Sequence, residues 1–325
     1  MLYIIKGDNF LADYILDSIS NKDNIAMIRF ERIKHRGFKK YLQIIIRFLR
    51  SMIINRQGLW TGWFFSDRFM RQLRMIGADD KVLLFSCQNL KELMVLDKEI
   101  VCLKKSVFLW NPLLTINHNA YSRWKYAHCL HRTGMRICTF DEGDAKDYGF
   151  EPVNQVYRKP GRELTDNSGG AGSDVFFVGK DKKRSKILSE LLAELDRQNI
   201  THEFHILCDK HTRPVAELMP YYTQDLILYK DYCMKALQSK CMLEILQKGQ
   251  TGMTMRCLEA LFFKKKLITN NASIRNNSIY HPDNIYVLDG KENRTLKAFM
   301  DCGWHNVPPQ QTDRYDIEHW ILPFC

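Results

Sequence analysis

Residues 249–271, GQTGMTMRCLEALFFKKKLITNN, place an arginine, a glutamate and three lysines behind a Gln-Thr-Gly turn. A structural connector needs none of these, whereas a site for a phosphorylated ligand uses most of them. Gln250 and Gly252 belong to the turn, and glycine lets the backbone bend tightly and approach a ligand. Thr254 is placed to cap a following helix, whose free N–H groups and positive dipole end form an anion site. Arg256 opposes the dipole in the first turn, which suits it to pair with a phosphate. Glu259 has two readings of equal weight: an acceptor for two ribose hydroxyls, or an i, i+3 partner for Arg256. Lys264–Lys266 read as the close of the helix.

A second candidate phosphate loop is FVGKDKKRSK, residues 177–186. A strand ends there, Gly179 turns the chain, and Lys180, Lys183 and Arg184 lead into a helix. The string is neither a P-loop nor GxGxxG, which disfavours ATP hydrolysis and NAD binding. For a general base, Asp8 in IKGDNF stands just beyond the first predicted strand, with Asp141 and Asp144 as alternatives. The structural alternative for Asp8 is a turn or helix cap before Phe10.

The elements that must position these groups alternate. Strands are predicted at 3–6, 25–30, 82–86, 106–110 and 136–140, with helices at 10–18, 90–96 and 121–133. The polar stretch 158–173, with Pro160 and four glycines, breaks the pattern. Strands then return at 174–178, 203–207, 266–269 and 284–288, with helices at 182–198, 239–247, 254–263 and 293–302. Short apolar strands alternating with helices predict parallel sheets covered on both faces. The fold class expected is α/β, with two Rossmann-like domains facing a cleft. The first, residues 1–160, is assigned to the acceptor. A linker at 161–173 joins it to a nucleotide-sugar domain at 174–325.

The chain of 325 residues has a formal net charge of +11. Between 29 and 74, twelve Lys and Arg stand against Glu31 and Asp67 alone. Apolar Leu42, Ile45, Ile46, Leu49 and Ile53 recur there at helical spacing among Trp and Phe. A basic helix with an apolar face fits an anionic membrane surface or an anionic lipid-linked acceptor. Arg36, Lys39, Lys40, Arg47 and Arg50 are the candidate contacts; an ordinary solvated basic face is the plain alternative. No nucleic-acid-binding motif is present, so nucleic acid is not expected as a partner. No apolar run reaches the roughly 18–20 residues of a membrane span, and no signal peptide is read at the N-terminus. The ten cysteines are scattered, without a Cys-x-x-Cys pair, and read as small core residues of a reduced protein.

The string TGMTMRCLEALFFKKKLIT resembles the nucleotide-sugar segment of GT-B glycosyltransferases. The resemblance implies that Glu259 binds the donor ribose and that the amides of Gly252, Met253 and Thr254 bind the diphosphate. Many relatives have a second glutamate eight positions earlier; here that position is Thr251, and a two-glutamate clamp is absent. TFDEGDAKDYGF, residues 139–150, resembles the end of the N-terminal domain in bacterial enzymes that build capsule, O-antigen and lipopolysaccharide core. Those enzymes also carry a later Gln-x-Gly-x-Thr-x-Arg-x-x-Glu run, matched here from Gln250 to Glu259, and ITNN and YHPDNI follow in order. The implied activity is transfer of a hexose or deoxyhexose, rhamnose being one case, from a nucleotide sugar to a saccharide acceptor. No metal or other cofactor is expected, and the implied location is the inner face of the cytoplasmic membrane. The alternatives are a non-catalytic nucleotide- or phosphosugar-binding protein and a membrane-surface-binding protein.

Overall fold

The computed structural model describes residues 1–31, 65–117, 119–161, 172–209, 212, 214–247, 250 and 252–325. Arg36, Lys39, Lys40, Arg47 and Arg50, most of the predicted linker and Thr251 lie outside the described residues. Among the described residues, no helix is long and apolar enough to cross a membrane.

Twelve strands form two six-stranded sheets. The first contains β1 (Leu2–Lys6), β2 (Ile25–Arg29), β3 (Lys81–Phe85), β4 (Lys104–Leu109), β5 (Arg136–Thr139) and β6 (Glu151–Pro152), in the order β2-β1-β3-β4-β5-β6. The second contains β7 (Val175–Lys180), β8 (His202–Leu207), β9 (Tyr222–Thr223), β10 (Cys241–Glu244), β11 (Lys266–Thr269) and β12 (Ile285–Val287), in the order β12-β11-β10-β7-β8-β9. β1 pairs in parallel with β2 and β3, and β7 with β8 and β10. Counted within its own sheet, the second order is 3-2-1-4-5-6, the doubly wound Rossmann arrangement. Its direction reverses between β7 and β10, where such sheets open a crevice at their carboxyl ends. The first sheet reverses between β1 and β3.

Most predicted elements are present within a few residues. The exception is 239–247, expected as a helix, which contains strand β10; the helix is upstream, at Tyr229–Gln238. All four residues of β10 are buried. A fully buried central strand shows no alternation, so a short apolar run there carries no period to separate strand from helix.

The chain divides into two compact units, 1–110 with 116–138 and 323–325, and 111–115 with 139–322. This differs from the boundary expected at 160. Residues 139–160 are tied to the second unit's C-terminal segment. The Tyr157 N–H donates to the Tyr315 carbonyl at 2.8 Å, and the Ile317 N–H to the Tyr157 carbonyl at 2.8 Å. Trp320 Nε1 donates to the Asn154 carbonyl at 2.7 Å. The last three residues belong to the first unit: the Lys81 ammonium donates to the Cys325 carbonyl, and Arg136 lies over the Phe324 ring. Cys87, Cys102, Cys138, Cys233, Cys241 and Cys257 are buried, and all ten cysteines are free thiols, as small core residues would be.

The three lysines behave as a helix stop, through the backbone. Helix Met255–Phe262 ends with Lys264 in the left-handed region at φ 54°. The Lys264 N–H reaches Leu261 O at 3.2 Å and the Lys265 N–H reaches Ala260 O at 2.8 Å, a Schellman closure. A β-carbon is disfavoured in that conformation, so Lys264→Gly is expected to raise stability by about 0.5–1 kcal/mol; an unchanged or lower denaturation midpoint would contradict this closure.

His281 and His305 stack with ring centroids 3.6 Å apart. Burial, then the His305 charge, hold His281 below its ordinary pKa; Asp283 opposes and Arg294 adds to the depression. The folded state therefore binds fewer protons than the unfolded state, whose histidines titrate near about 6.5. This stability contribution is intact above that pH and lost as pH falls through and below it. Thermal midpoints between pH 7.5 and 5.5 should fall less steeply in His281→Gln than in the wild type; equal slopes would remove His281 from the account.

Candidate functional site

β7 and β10 pair at Cys241–Val175 and Met242–Phe176. Beyond that register two arginines take up their carbonyls. Arg256 donates through one terminal nitrogen to Leu243 O at 3.2 Å and through the other to Val178 O at 2.9 Å. Arg184 donates to Ile245 O at 2.5 Å, to Lys180 O, and through Nε to Asp181 O at 3.1 Å. Each guanidinium therefore bridges the two strands where the ladder has ended. Gly179 makes room for this: a β-carbon there would lie 3.1 Å from the Arg184 guanidinium and 3.1 Å from the Phe177 ring.

Two cations thus stand together at the switch point. Burial, then the nearby Arg256 charge, pushes the Arg184 pKa down to about 10. Lys182, although exposed, is likewise held below the ordinary lysine range, by partial desolvation and by Arg184 and Lys180. The 180–184 turn is fixed by buried Asp181, whose carboxylate accepts the Lys183 N–H at 2.9 Å and the Tyr222 hydroxyl at 2.8 Å. Lys182 and Lys183 are left-handed, at φ 47° and 64°. The turn leaves Lys180, Lys182 and Lys183 exposed. Sequence reasoning named Lys180, Lys183 and Arg184; Lys182 stands in the same run and belongs with them.

The 250–259 segment is only partly as expected. Thr254 does cap helix Met255–Phe262, accepting the Arg256 N–H at 3.1 Å. Its hydroxyl donates to Glu244, at the end of β10, and the other Glu244 oxygen accepts the Thr269 hydroxyl at 2.6 Å. Burial raises the Glu244 pKa, opposed by these two hydroxyls and Arg256. Glu244 was not foreseen; its one signal is a carboxylate closing an apolar strand.

Glu259 requires a correction. It is 4% exposed, and both carboxylate oxygens face hydroxyls of the protein: Tyr229 at 2.9 Å and Tyr232. Tyr229 in turn bonds Tyr157. Arg256 Nε lies 3.4 Å from Glu259, and its guanidinium lies over the Tyr232 ring at 5.0 Å. Burial raises the Glu259 pKa against the pull of Arg256 and the two tyrosines. The i, i+3 partner reading is therefore the observed one, and each carboxylate oxygen already accepts from a tyrosine hydroxyl. Gly252 is also corrected. Its N–H donates to Asp141 Oδ2 at 3.1 Å, and its close approach is to Phe140, whose ring a β-carbon would meet at 2.8 Å. The Gln250 N–H donates to Gln247 O at 3.1 Å.

That Gly252 contact forms one wall of a cavity of about 300 Å³ within the second unit. Met253 lines it, with Glu142, Gln155, Asn271 and Asn277. Asp141 caps helix Glu142–Tyr148 by accepting the Asp144 N–H at 3.0 Å, and Asp144 accepts the Leu113 N–H at 2.7 Å. Both aspartates are buried, and each has an oxygen already engaged by a backbone N–H.

In the first unit, Asp8 lies beyond β1 at that sheet's switch point. It is exposed and pairs with Arg29 at 2.9 Å. The helix cap there is Asn9, which accepts the Leu11 N–H at 3.0 Å. Gly7 abuts Ser86, whose carbonyl oxygen a β-carbon would meet at 2.5 Å, so the ends of β1 and β3 approach closely.

The sequence matches no protein-family model and no curated protein. Solved structures share the fold. Anabaena HepE, in complex with UDP and glucose, aligns with a TM-score of 0.56 at 10% identity, over 99% of this chain and 94% of that one. The trehalose-6-phosphate synthase OtsA aligns at 0.54 and 11%, over 99% and 98%. The UDP-forming α,α-trehalose-phosphate synthase from Burkholderia xenovorans, in complex with glucose-6-phosphate, aligns at 0.53 and 10%, over 98% and 95%. This chain is an α/β protein of the GT-B fold, with two Rossmann-like sheets.

Removing one partner of a buried charge network strands the others, at a cost of about 3–5 kcal/mol. Glu259→Ala should therefore lower stability by that order, and Glu259→Gln by less, in denaturant titrations. A Glu259→Ala protein of wild-type stability that has lost only nucleotide binding would restore the ribose role.

Proposed function

We propose that the protein is a nucleotide-sugar-dependent glycosyltransferase. The observation that carries the reading is the pair of guanidiniums at the β7–β10 switch point, with three exposed lysines on the adjoining turn. Like charges held together at the carboxyl edge of a Rossmann sheet are relieved by an anion, and a nucleoside diphosphate leaving group supplies one. Gly179, Lys180, Lys182, Lys183 and Arg184 form the diphosphate side, with the Gln250–Thr254 turn and the N-terminus of helix Met255–Phe262 beside them. The two arginines act through their field, since each terminal guanidinium nitrogen already donates to a backbone carbonyl; Lys180, Lys182 and Lys183 are the cations placed for contact. The fold shared with proteins solved with UDP, glucose or glucose-6-phosphate supports the class.

The finer assignments follow the sequence resemblance. The acceptor is a saccharide of lipopolysaccharide core, O-antigen or capsule, lipid-linked and met at the inner face of the cytoplasmic membrane. Arg36, Lys39, Lys40, Arg47 and Arg50 hold that anionic surface. Asp8 is the proposed base for the acceptor hydroxyl, and charge on the leaving group is met without a metal. A deoxyhexose donor such as a rhamnose nucleotide is one candidate.

A thermal-shift screen against UDP, GDP, TDP and CMP sugars should give one nucleotide class that raises the midpoint. Turnover of that donor should yield free nucleotide and a glycosylated acceptor, and Asp8→Asn should lower kcat by at least about a hundredfold, as loss of a general base does. Binding without any transfer or hydrolysis would make the protein a nucleotide-binding module instead.

A further inference from the structure

The cavity of the second unit has an unusual chemical polarity. Gln155 and Asn271 line it and are 3% and 6% exposed. Gln155 Oε1 accepts the Val156 N–H at 3.0 Å, and Asn271 Oδ1 accepts the Ser273 N–H at 3.2 Å and its hydroxyl at 2.7 Å. Asn277, also on the wall, repeats the pattern: its Oδ1 accepts the Ile279 N–H at 3.1 Å and the Tyr315 hydroxyl at 3.0 Å. A backbone N–H can be accepted only by the amide oxygen, so each carboxamide is fixed in orientation. All three oxygens are used by the protein. None of the three NH2 groups has a hydrogen-bond partner among the described residues, and none is among the sealed, partnerless polar atoms. The three NH2 groups thus remain as donors open to the cavity. Buried polar groups are ordinarily paired, so the donors of Gln155 and Asn271 call for a ligand, with half-buried Asn277 beside them.

The charge of the lining decides which ligand. Among the described residues of the cavity, Glu142 carries the one formal charge, and it has no ion-pair partner among the described residues. It sits on the first residue of helix Glu142–Tyr148, where Asp141 fixes the chain. Three neutral donors and one carboxylate match a group that both accepts and donates hydrogen bonds. A hydroxyl does both; a phosphate or carboxylate only accepts, and is repelled by Glu142. The volume, about 300 Å³, is at the lower end of small-molecule sites.

We infer that this cavity is a subsite for one neutral sugar ring. Its hydroxyl oxygens accept from Gln155 Nε2, Asn271 Nδ2 and Asn277 Nδ2, and a hydroxyl donates to Glu142. Uronic acids and sugar phosphates are excluded from it by charge. The inference rests on the glycosyl-transfer reading only in choosing a saccharide over other neutral polyols.

The test is binding to the full chain, followed by ligand-observed NMR, of methyl glucoside, methyl rhamnoside, glucuronate and glucose 6-phosphate. A neutral glycoside should bind and the two acidic sugars should not. Gln155→Glu and Asn271→Asp each exchange a donor for an acceptor of the same shape and should weaken the glycoside about five- to tenfold or more. Asn277→Leu is the further variant if either fails to fold. Glu142→Gln should narrow the preference for neutral over acidic sugar. Nucleoside diphosphate binding, read in the same samples, should be unchanged in all four variants. Displacement of the glycoside by the nucleotide sugar would assign the cavity to the donor's sugar, and simultaneous binding to the acceptor's; both support the inference. Preference for an acidic sugar, variants without effect, or nucleotide binding with no glycoside binding would overturn it. Glycoside binding without nucleotide binding would sustain it while removing the functional reading above.

Discussion

The second sheet depends on what happens where β7 and β10 part. Their ladder ends after two registered pairs, and carbonyls at four chain positions would otherwise face an opening gap without donors. Buried carbonyls left unpaired are costly. Arg184 and Arg256 satisfy them, one from the cap of the helix after β7 and one from the first turn of the helix after β10. Five N–H groups in a fixed planar fork make arginine, rather than lysine, able to bridge two strands in this way.

Much of the unit is arranged by this constraint. Arg256 is largely withdrawn from solvent, its side chain 20% exposed, so its charge is balanced by Glu259 one turn later. Glu259 in turn has a remaining lone-pair requirement that Tyr229 and Tyr232 meet from the helix Tyr229–Gln238. Glu244 on β10 is balanced by Thr254 and Thr269, which ties the helix cap to the end of β11. The outcome is a rigid floor of two cations, with the lysine turn beside it. The guanidiniums tie the ends of β7 and β10 together, and their field favours an anion at the same edge.

Local signals made the fold legible. Short buried strands and a Thr cap before a helix are read from neighbouring residues alone. β10 was not, since CMLE lies buried on both faces and carries no period. The compact units divide elsewhere than at 160, since bonds that draw 139–160 into the second unit come from residues far along the chain, among them Tyr315 and Trp320. The site was legible as a set of charges but not as a division of labour. Arg256 and Glu259 were noticed for their chemistry, yet their spacing alone left the ion pair and the ribose contact level; burial decides for the pair. Gly252 is close to something, as a glycine in that turn suggests, but the neighbour is Phe140. Gln155 and Asn277 carried no signal, and Asn271 only its place in ITNN, because an asparagine presenting its NH2 to a cavity differs from one capping a turn only in tertiary context.

The central claim is that the β7–β10 switch point is an anion site for the diphosphate of a nucleotide sugar. Calorimetric titration of UDP, GDP and TDP against the matching free nucleosides tests it most directly, with wild type and a Lys180→Ala/Lys183→Ala variant at two salt concentrations. The account predicts that one nucleoside diphosphate binds at one site per chain, that its nucleoside binds far more weakly, and that the affinity falls with salt. It also predicts that the double variant loses about tenfold or more in affinity at an unchanged thermal midpoint. Equal binding of nucleoside and diphosphate, or a double variant with wild-type affinity, would contradict it.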